Sequence, residues 1–314
     1  MKRINLLIFL PLLLLSSDNL IEKANELEKQ GKYKEALQIY KELNQKNIKQ
    51  EDSFTKVKEE NFKNFNKVED EEIMNTMKQS FIGDFDLHPY KKTYIMPITY
   101  DSKDNSDRKD IETQFQFSLE KPLIYNLFNK GEILSFAYTQ KSFWQTFEES
   151  APFRENNYEP ELFLTIPYDN EYLKSYKIAL NHQSNGRGGL ESRSWNRAYI
   201  EGTFQLDSLL IKPKVWYRIP ESKDDNQEIV DYLGYGELNL VYAYKKHQFD
   251  LLLRNNFKSE NKTGIDLTWT FPLPFIENKR NVYGMINYFY GYGNSLIDYD
   301  RETNKIGFGI ALTR

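Results

Sequence analysis

The 314-residue chain contains no cysteine. A disulfide framework, a thiol nucleophile and a thiolate metal site are therefore excluded. Histidine is scarce: His88, His182 and His247 are the three in the chain. Neither sign of charge dominates, since 42 basic and 46 acidic side chains leave a formal net charge of −4. That balance excludes a strongly basic nucleic-acid binder. Past the N-terminus no apolar run approaches the ~18 residues that a membrane helix needs, and mean hydropathy is −0.70. A helical membrane bundle is excluded as well. What the chain has in abundance is aromatic: 22 Tyr, 21 Phe and 4 Trp make 15% of it. So polar and so aromatic a chain suits a Tyr-rich soluble β protein or a transmembrane β-barrel, whose apolar side chains cover only the lipid face.

The N-terminus reads as an address. Lys2 and Arg3 precede an apolar run from Leu6 to Leu15, broken only by Pro11, and then Ser16 and Ser17. This is the pattern of a secretory signal peptide over residues 1–17. No cysteine follows, so a lipoprotein is not expected. Residues 18–80 are rich in Lys, Glu, Asn and Gln, with Ala24, Leu27, Ala36, Leu37, Tyr40 and Leu43 at helical spacing. ANELEKQGKYKEALQIYKEL resembles one tetratricopeptide-like hairpin. A single copy cannot bury its own faces, so a charged helical spacer is expected, with partner docking as the functional alternative.

From Thr93 the apolar period changes to two. Strands are expected near 93–101, 112–120, 132–141, 160–167, 172–184, 193–205, 209–219, 232–244, 248–257, 263–271, 281–290 and 304–313. Twelve is an even number, as bacterial single-chain barrels have. Connections near 168–171, 206–208 and 245–247 are short, whereas 102–111, 145–158, 185–192, 220–231 and 292–303 are longer and polar. Short turns at one end and long loops at the other are the outer-membrane pattern. Alternation alone would also serve a secreted β-sandwich. The expected fold is all-β, a twelve-stranded antiparallel transmembrane β-barrel over 81–314 with a short N-terminal helical segment.

The chemistry concentrates in HQSNGRGGLESRSWNR, residues 182–197. Ser184 follows His182 by two positions, on the same strand face, with Cα atoms about 7 Å apart. Tyr176, Ile178 and Leu180 share that parity, whereas Lys177, Asn181 and Gln183 take the other. His182 and Ser184 therefore lie on the apolar, lipid-meeting face. On the next strand Asn196 shares a face with Ala198 and Ile200. Polar groups at a lipid surface cost free energy and mark function. Serine needs a neighbouring base to become a nucleophile. His182 can be that base, and Asn196 can orient its ring as the third member of a triad does.

HQSNGRGG…SRSWNR, with YTQKSFWQ, SAPFRENNYEPELFL, KVWYRIP and GYGNSLIDYD, resembles the outer-membrane phospholipase A family across about residues 81–314. The resemblance implies a twelve-stranded barrel that hydrolyses phospholipid acyl esters at the outer leaflet, with calcium and as a dimer. It implies Ser184 as nucleophile, His182 as base, Asn196 as orienting amide and the Gly186 N–H as oxyanion donor, assisted by a calcium-bound water. Implied calcium ligands are the carbonyl of Arg187, the hydroxyl of Ser192 and, from the second subunit, the carbonyl of Ser150. Gln140 matches a dimer-interface glutamine and shares lipid-facing parity with Leu134, Phe136 and Tyr138. Gly189 stands where family members can have an acidic residue, which counts against a second calcium site. Arg314 ends the chain in place of a terminal aromatic.

Asp224, Asp225, Asp298 and Asp300 are expected to be solvated loop carboxylates. The rival readings are a non-enzymatic barrel and an adapter working through residues 18–80. Charged lumen positions Arg197, Glu201, Lys212, Lys214 and Arg254 argue against an open channel.

Overall fold

A computed structural model describes residues 87–103, 108–168, 170–222, 224–274 and 281–314, together with scattered positions between 23 and 39. The chain divides into two compact units, Met1–Phe85 and Asp86–Arg314. The signal-peptide expectation for 1–17 lies outside the described residues, as does most of 18–80. In the first unit the described positions are helical at 23, 25–27 and 29, and again at 33–36, 38 and 39.

In the second unit β1 (His88–Pro89) is a two-residue pairing with Glu120 and Leu119. Twelve longer strands follow: β2 (Tyr94–Asp101), β3 (Ile111–Tyr125), β4 (Ile133–Trp144), β5 (Phe153–Pro167), β6 (Leu173–Ser184), β7 (Ser194–Leu206), β8 (Leu209–Ile219), β9 (Gly236–Tyr244), β10 (His247–Asn255), β11 (Thr263–Pro272), β12 (Tyr283–Gly291) and β13 (Thr303–Ala311). Each pairs antiparallel with its sequence neighbours, and β13 pairs with β2 to close the barrel. Closure removes both sheet edges, so the strands' backbone groups pair with neighbouring strands and not with water.

Alternation sets which side chains go where. On β10 and β11 Phe249, Leu251 and Leu253 stand opposite Trp269, Leu267 and Ile265. These rows face outward, and the Phe249 and Trp269 rings stack at 6.0 Å. Between them Asp250 and Thr268 are buried in the lumen. Exposed Tyr125, Tyr168, Tyr172 and Tyr244 gather at the short-turn end, while Tyr217, Tyr235 and Tyr290 lie toward the other. Such girdles belong at the two membrane interfaces. At the seam, β2 shifts register against β13 between Phe308 and Ile310. A Cβ at Gly309 would fall 2.0 Å from the Ile95 carbonyl oxygen, so only glycine permits this approach.

The lumen is filled rather than open. Lys214 meets Glu237 at 2.8 Å and Glu201 at 3.3 Å. Glu112 holds Lys305 at 2.6 Å and Arg154 at 2.9 Å. The segment before β2 turns inward: Tyr90 stacks on Phe163 at 5.1 Å, and Lys91 reaches Glu159 and Glu161, each at 2.8 Å. Behind β4–β8 the filling becomes apolar, with Phe163, Trp195, Tyr199 and Trp216 packed against Ile229 and Leu233 of helix α1 (Ile229–Leu233).

Several expectations are corrected. Strand β3 runs on to Tyr125, and β5 begins at Phe153, which shortens the expected 145–158 loop to 145–152. The expected strand 232–244 starts only at Gly236, because α1 occupies its first residues. Asp298 is buried, accepting from Arg154 at 2.6 Å, Arg108 at 2.8 Å and Ser295 at 3.0 Å. Neither Asp224 nor Asp225 is merely solvated: Asp224 accepts from Arg218 at 2.6 Å, and Asp225 accepts from Ser192 at 2.5 Å. Asp300 is exposed.

Candidate active site

The register of β6 against β7 sets His182 directly opposite Asn196 and Ser184 opposite Ser194. Opposed residues of an antiparallel pair carry Cβ atoms about 4.5–5.5 Å apart, within reach of a side-chain hydrogen bond. His182 Nδ1 lies 2.8 Å from Asn196 Oδ1. An amide oxygen only accepts, so this contact requires the proton on Nδ1 and leaves Nε2 free to take one. Ile178 and Leu180, on the same side of β6, are 48% and 56% exposed, whereas Ala179 and Asn181 are 3% and 4% exposed. The His–Asn pair thus sits on the outward face. Among the described residues, no hydrogen bond joins Ser184 Oγ to His182.

Support comes from the lumen side of the same strands. Arg197 donates to Asn181 at 3.0 Å and lies 4.0 Å from the Trp195 ring, and Trp195 donates to Gln183 at 2.9 Å. Backed by this packed layer, β6 and β7 have little freedom to splay.

Gly186 and Arg187 lie on the β6–β7 loop, 185–193, which includes a 3-10 turn at Gly189–Glu191. Gly186 has φ +66°, and a Cβ there would come within 2.9 Å of the Tyr158 ring. Glycine is therefore fixed at this position by backbone and by neighbour alike. Ser192 Oγ donates to Asp225, which draws the 220–228 loop beside it. An alcohol, a carboxylate and nearby backbone carbonyls are the oxygen donors a hard divalent cation takes. Ser150 sits apart on the β4–β5 loop, exposed and with φ +61°. No hydrogen bond among the described residues connects it to Arg187 or Ser192.

Gln140 stands in the same outward row as Ser184, since Gln140 pairs with Tyr158 and Tyr158 with Ser184. Two strand spacings, about 10 Å, separate them. Its amide accepts from Tyr138 at 3.1 Å and donates to Ser142 at 3.1 Å, and Ser142 donates to Asn156 at 2.7 Å. A polar ladder thus crosses an otherwise apolar flank.

The sequence profile of the Phospholipase A1 family matches residues 71–312. The chain belongs to the phospholipase A1 family. Phospholipase A1 of Escherichia coli is 35% identical over 260 residues, covering 76% of this chain and 86% of that protein. The Klebsiella pneumoniae enzyme is 34% identical over 257 residues, covering 76% and 87%. Among solved structures, outer membrane phospholipase A from E. coli superposes with a TM-score of 0.68 at 33% identity, covering 73% of this chain and 99% of that one. The Salmonella typhi outer membrane phospholipase, a dimer with bound calcium, superposes with the same score at 32% identity, covering 73% and 93%. This phospholipase A1 relative is accordingly a bacterial outer-membrane β-barrel with phospholipase activity.

Asn185 and Glu155 around the site were not singled out by sequence reasoning, whereas Asp225 was read only as a solvated loop carboxylate.

Proposed function

We propose that the protein is a calcium-dependent phospholipase of A1 and A2 type, which also takes lysophospholipids and acts by a Ser-His-Asn mechanism as a homodimer. The observation that carries this reading is the 2.8 Å His182–Asn196 contact on the outward face, on the same strand side as Ser184. Acyl esters of membrane lipids reach that face without leaving the bilayer.

His182 Nε2 takes the Ser184 proton as Oγ attacks the ester carbonyl. Asn196 holds the ring in the tautomer that leaves Nε2 basic, but it cannot neutralise the imidazolium as a carboxylate would. The Gly186 N–H donates to the developing oxyanion. His182 then returns its proton to the leaving lysolipid, and water, deprotonated by the same nitrogen, cleaves the acyl-enzyme. The oxygen donors of Arg187 and Ser192, with Asp225 beside them, fit calcium. Calcium held there would supply positive charge beside the developing oxyanion.

Ser150, distant in bonding from the other two ligands, completes that set from a partner copy. Gln140 and its polar ladder lie on the flank that would meet the partner. Residues 1–17 act as a signal peptide and 18–80 as a charged spacer ahead of the barrel. The rival channel reading fails on the filled lumen. Fatty-acid release from phospholipid micelles by the full chain, with and without chelator and with Ser184→Ala, tests the proposal. Calcium-independent release, or release by the variant, overturns it.

A further inference from the structure

The β6–β7 loop carries the proposed oxyanion donor and two proposed metal ligands, and its shape depends on one buried amide. Asn185, directly after Ser184, is 4% exposed and turns under the loop. Its Oδ1 accepts from the backbone N–H of Arg187 at 3.2 Å and of Arg193 at 3.0 Å. Its Nδ2 donates to the Glu191 carbonyl at 2.8 Å and to Glu155 Oε2 at 3.5 Å. The backbone N–H of Asn185 adds a bond to the Arg193 carbonyl at 3.0 Å. One side chain therefore ties the entry, the crest and the exit of the loop together. An amide offers two acceptor sites and two donor hydrogens, and all of them are used here. No other side chain of this length offers both sets.

Glu155 fastens the amide to the barrel. It is fully buried on β5, and its Oε1 accepts from Asn157 at 2.5 Å and from the Ile297 N–H at 3.0 Å. Arg187 Nε stands 3.8 Å from its other oxygen. The Arg187 guanidinium also bonds the Arg154 carbonyl and Glu191. Gly186, between Asn185 and Arg187, has no room for a side chain on the side facing Tyr158.

We infer that Asn185, held by Glu155, is a positioning residue that fixes the Gly186 N–H and the Arg187 carbonyl at the reaction centre. The inference rests on the proposed roles of Ser184 and Gly186. An oxyanion donor is effective only when held in place before charge develops. Without the amide, the Arg187 and Arg193 N–H groups turn to water and the loop can move, while the strands that hold His182 and Asn196 do not depend on it.

The test uses the full chain in detergent micelles with a defined phospholipid. The readouts are kcat, KM, the calcium concentration for half-maximal activity, and the folded barrel's heat-dependent gel mobility. Asn185→Ala should lower kcat by about 10²-fold, the usual cost of a lost oxyanion donor. KM should change little, the calcium requirement should rise several-fold, and folded mobility should persist. Asn185→Asp keeps the two acceptor bonds but turns an acceptor toward Glu155 and the Glu191 carbonyl, so it should not restore the parental kcat. If Asn185→Ala does not fold, Glu155→Gln, which keeps size and shape, should show the same kcat and calcium shifts at smaller scale. A folded Asn185→Ala or Glu155→Gln with parental kcat and calcium requirement overturns the inference. Ser184→Ala is measured alongside. If that variant stays active the proposed function fails, whereas an inactive Ser184→Ala beside a parental Asn185→Ala removes only the positioning role.

Discussion

Asn196 and Arg197 are adjacent in sequence and point to opposite sides of one strand. Outward, Asn196 meets one polar partner, His182, among apolar neighbours. Inward, Arg197 bonds Asn181 and Glu159 and packs on two tryptophans. The lumen holds charge in quantity, knit by ion pairs such as Lys214–Glu237 and Lys305–Glu112, and the result is a plug. The lipid face holds few polar groups, and those few face one another or line a single flank. Polarity inside a barrel is structure, because opposite charges are plentiful there. Polarity on its outer surface has no such excuse and marks chemistry.

Substitutions on the two faces should separate activity from stability. The largest effect expected is on the outer face: Ser184→Ala should reduce lipid hydrolysis by about 10⁴-fold or more, with folded mobility unchanged. Hydrolysis assays beside gel mobility check it. On the inner face, Glu112→Ala strands Lys305 in the lumen and leaves Arg154 with Asp298 as its carboxylate partner. Removing one partner of such a buried group costs about 3–5 kcal/mol. Denaturant unfolding in micelles should show that loss, and residual folded protein should still hydrolyse lipid. Asn196→Ala should be milder than Ser184→Ala, since the proposed role of Asn196 is to orient the base and not to react.

A smaller effect should follow pH. Burial raises the Asp298 carboxyl, but Arg154 and Arg108 outweigh it and hold it below the usual carboxylate range. A carboxyl lowered in the folded state stabilises fully above its unfolded value, about 3.9, and loses that contribution as pH falls toward the folded value. Thermal unfolding between pH 6 and pH 2 (about the accessible range for such carboxylates) should therefore show a steeper acid limb in the parent than in Asp298→Asn. Smallest of all should be conductance: with Tyr90 and Lys91 lodged among Phe163, Glu159 and Glu161, the barrel should pass no stable current in a planar bilayer.

Much of this contrast was legible in the sequence, because β alternation reports facing directly. His182, Ser184 and Asn196 could be placed outward from parity alone, and the register then joined His182 to Asn196. Alternation fails where both faces are polar. Arg154–Glu159 at the start of β5 show no period, since Glu155, Asn157 and Glu159 point inward while Asn156 and Tyr158 cover the polar ladder. Nor could Asp298 be read as buried, because its partners Arg108 and Arg154 lie 190 and 144 residues away. The Asn185 clasp was hidden for a related reason: three of its four side-chain bonds are to backbone groups, which leave no mark in composition.

The central claim is that Ser184 on the outer face is the nucleophile. A serine-reactive phosphonylating probe with an alkyl tail, applied to the full chain with calcium and mapped by peptide mass spectrometry, tests it most directly. The account predicts one adduct, on Ser184, that forms in step with loss of hydrolysis and is abolished by His182→Ala. Inactivation with the adduct on another residue, or full activity with Ser184 modified, would contradict it.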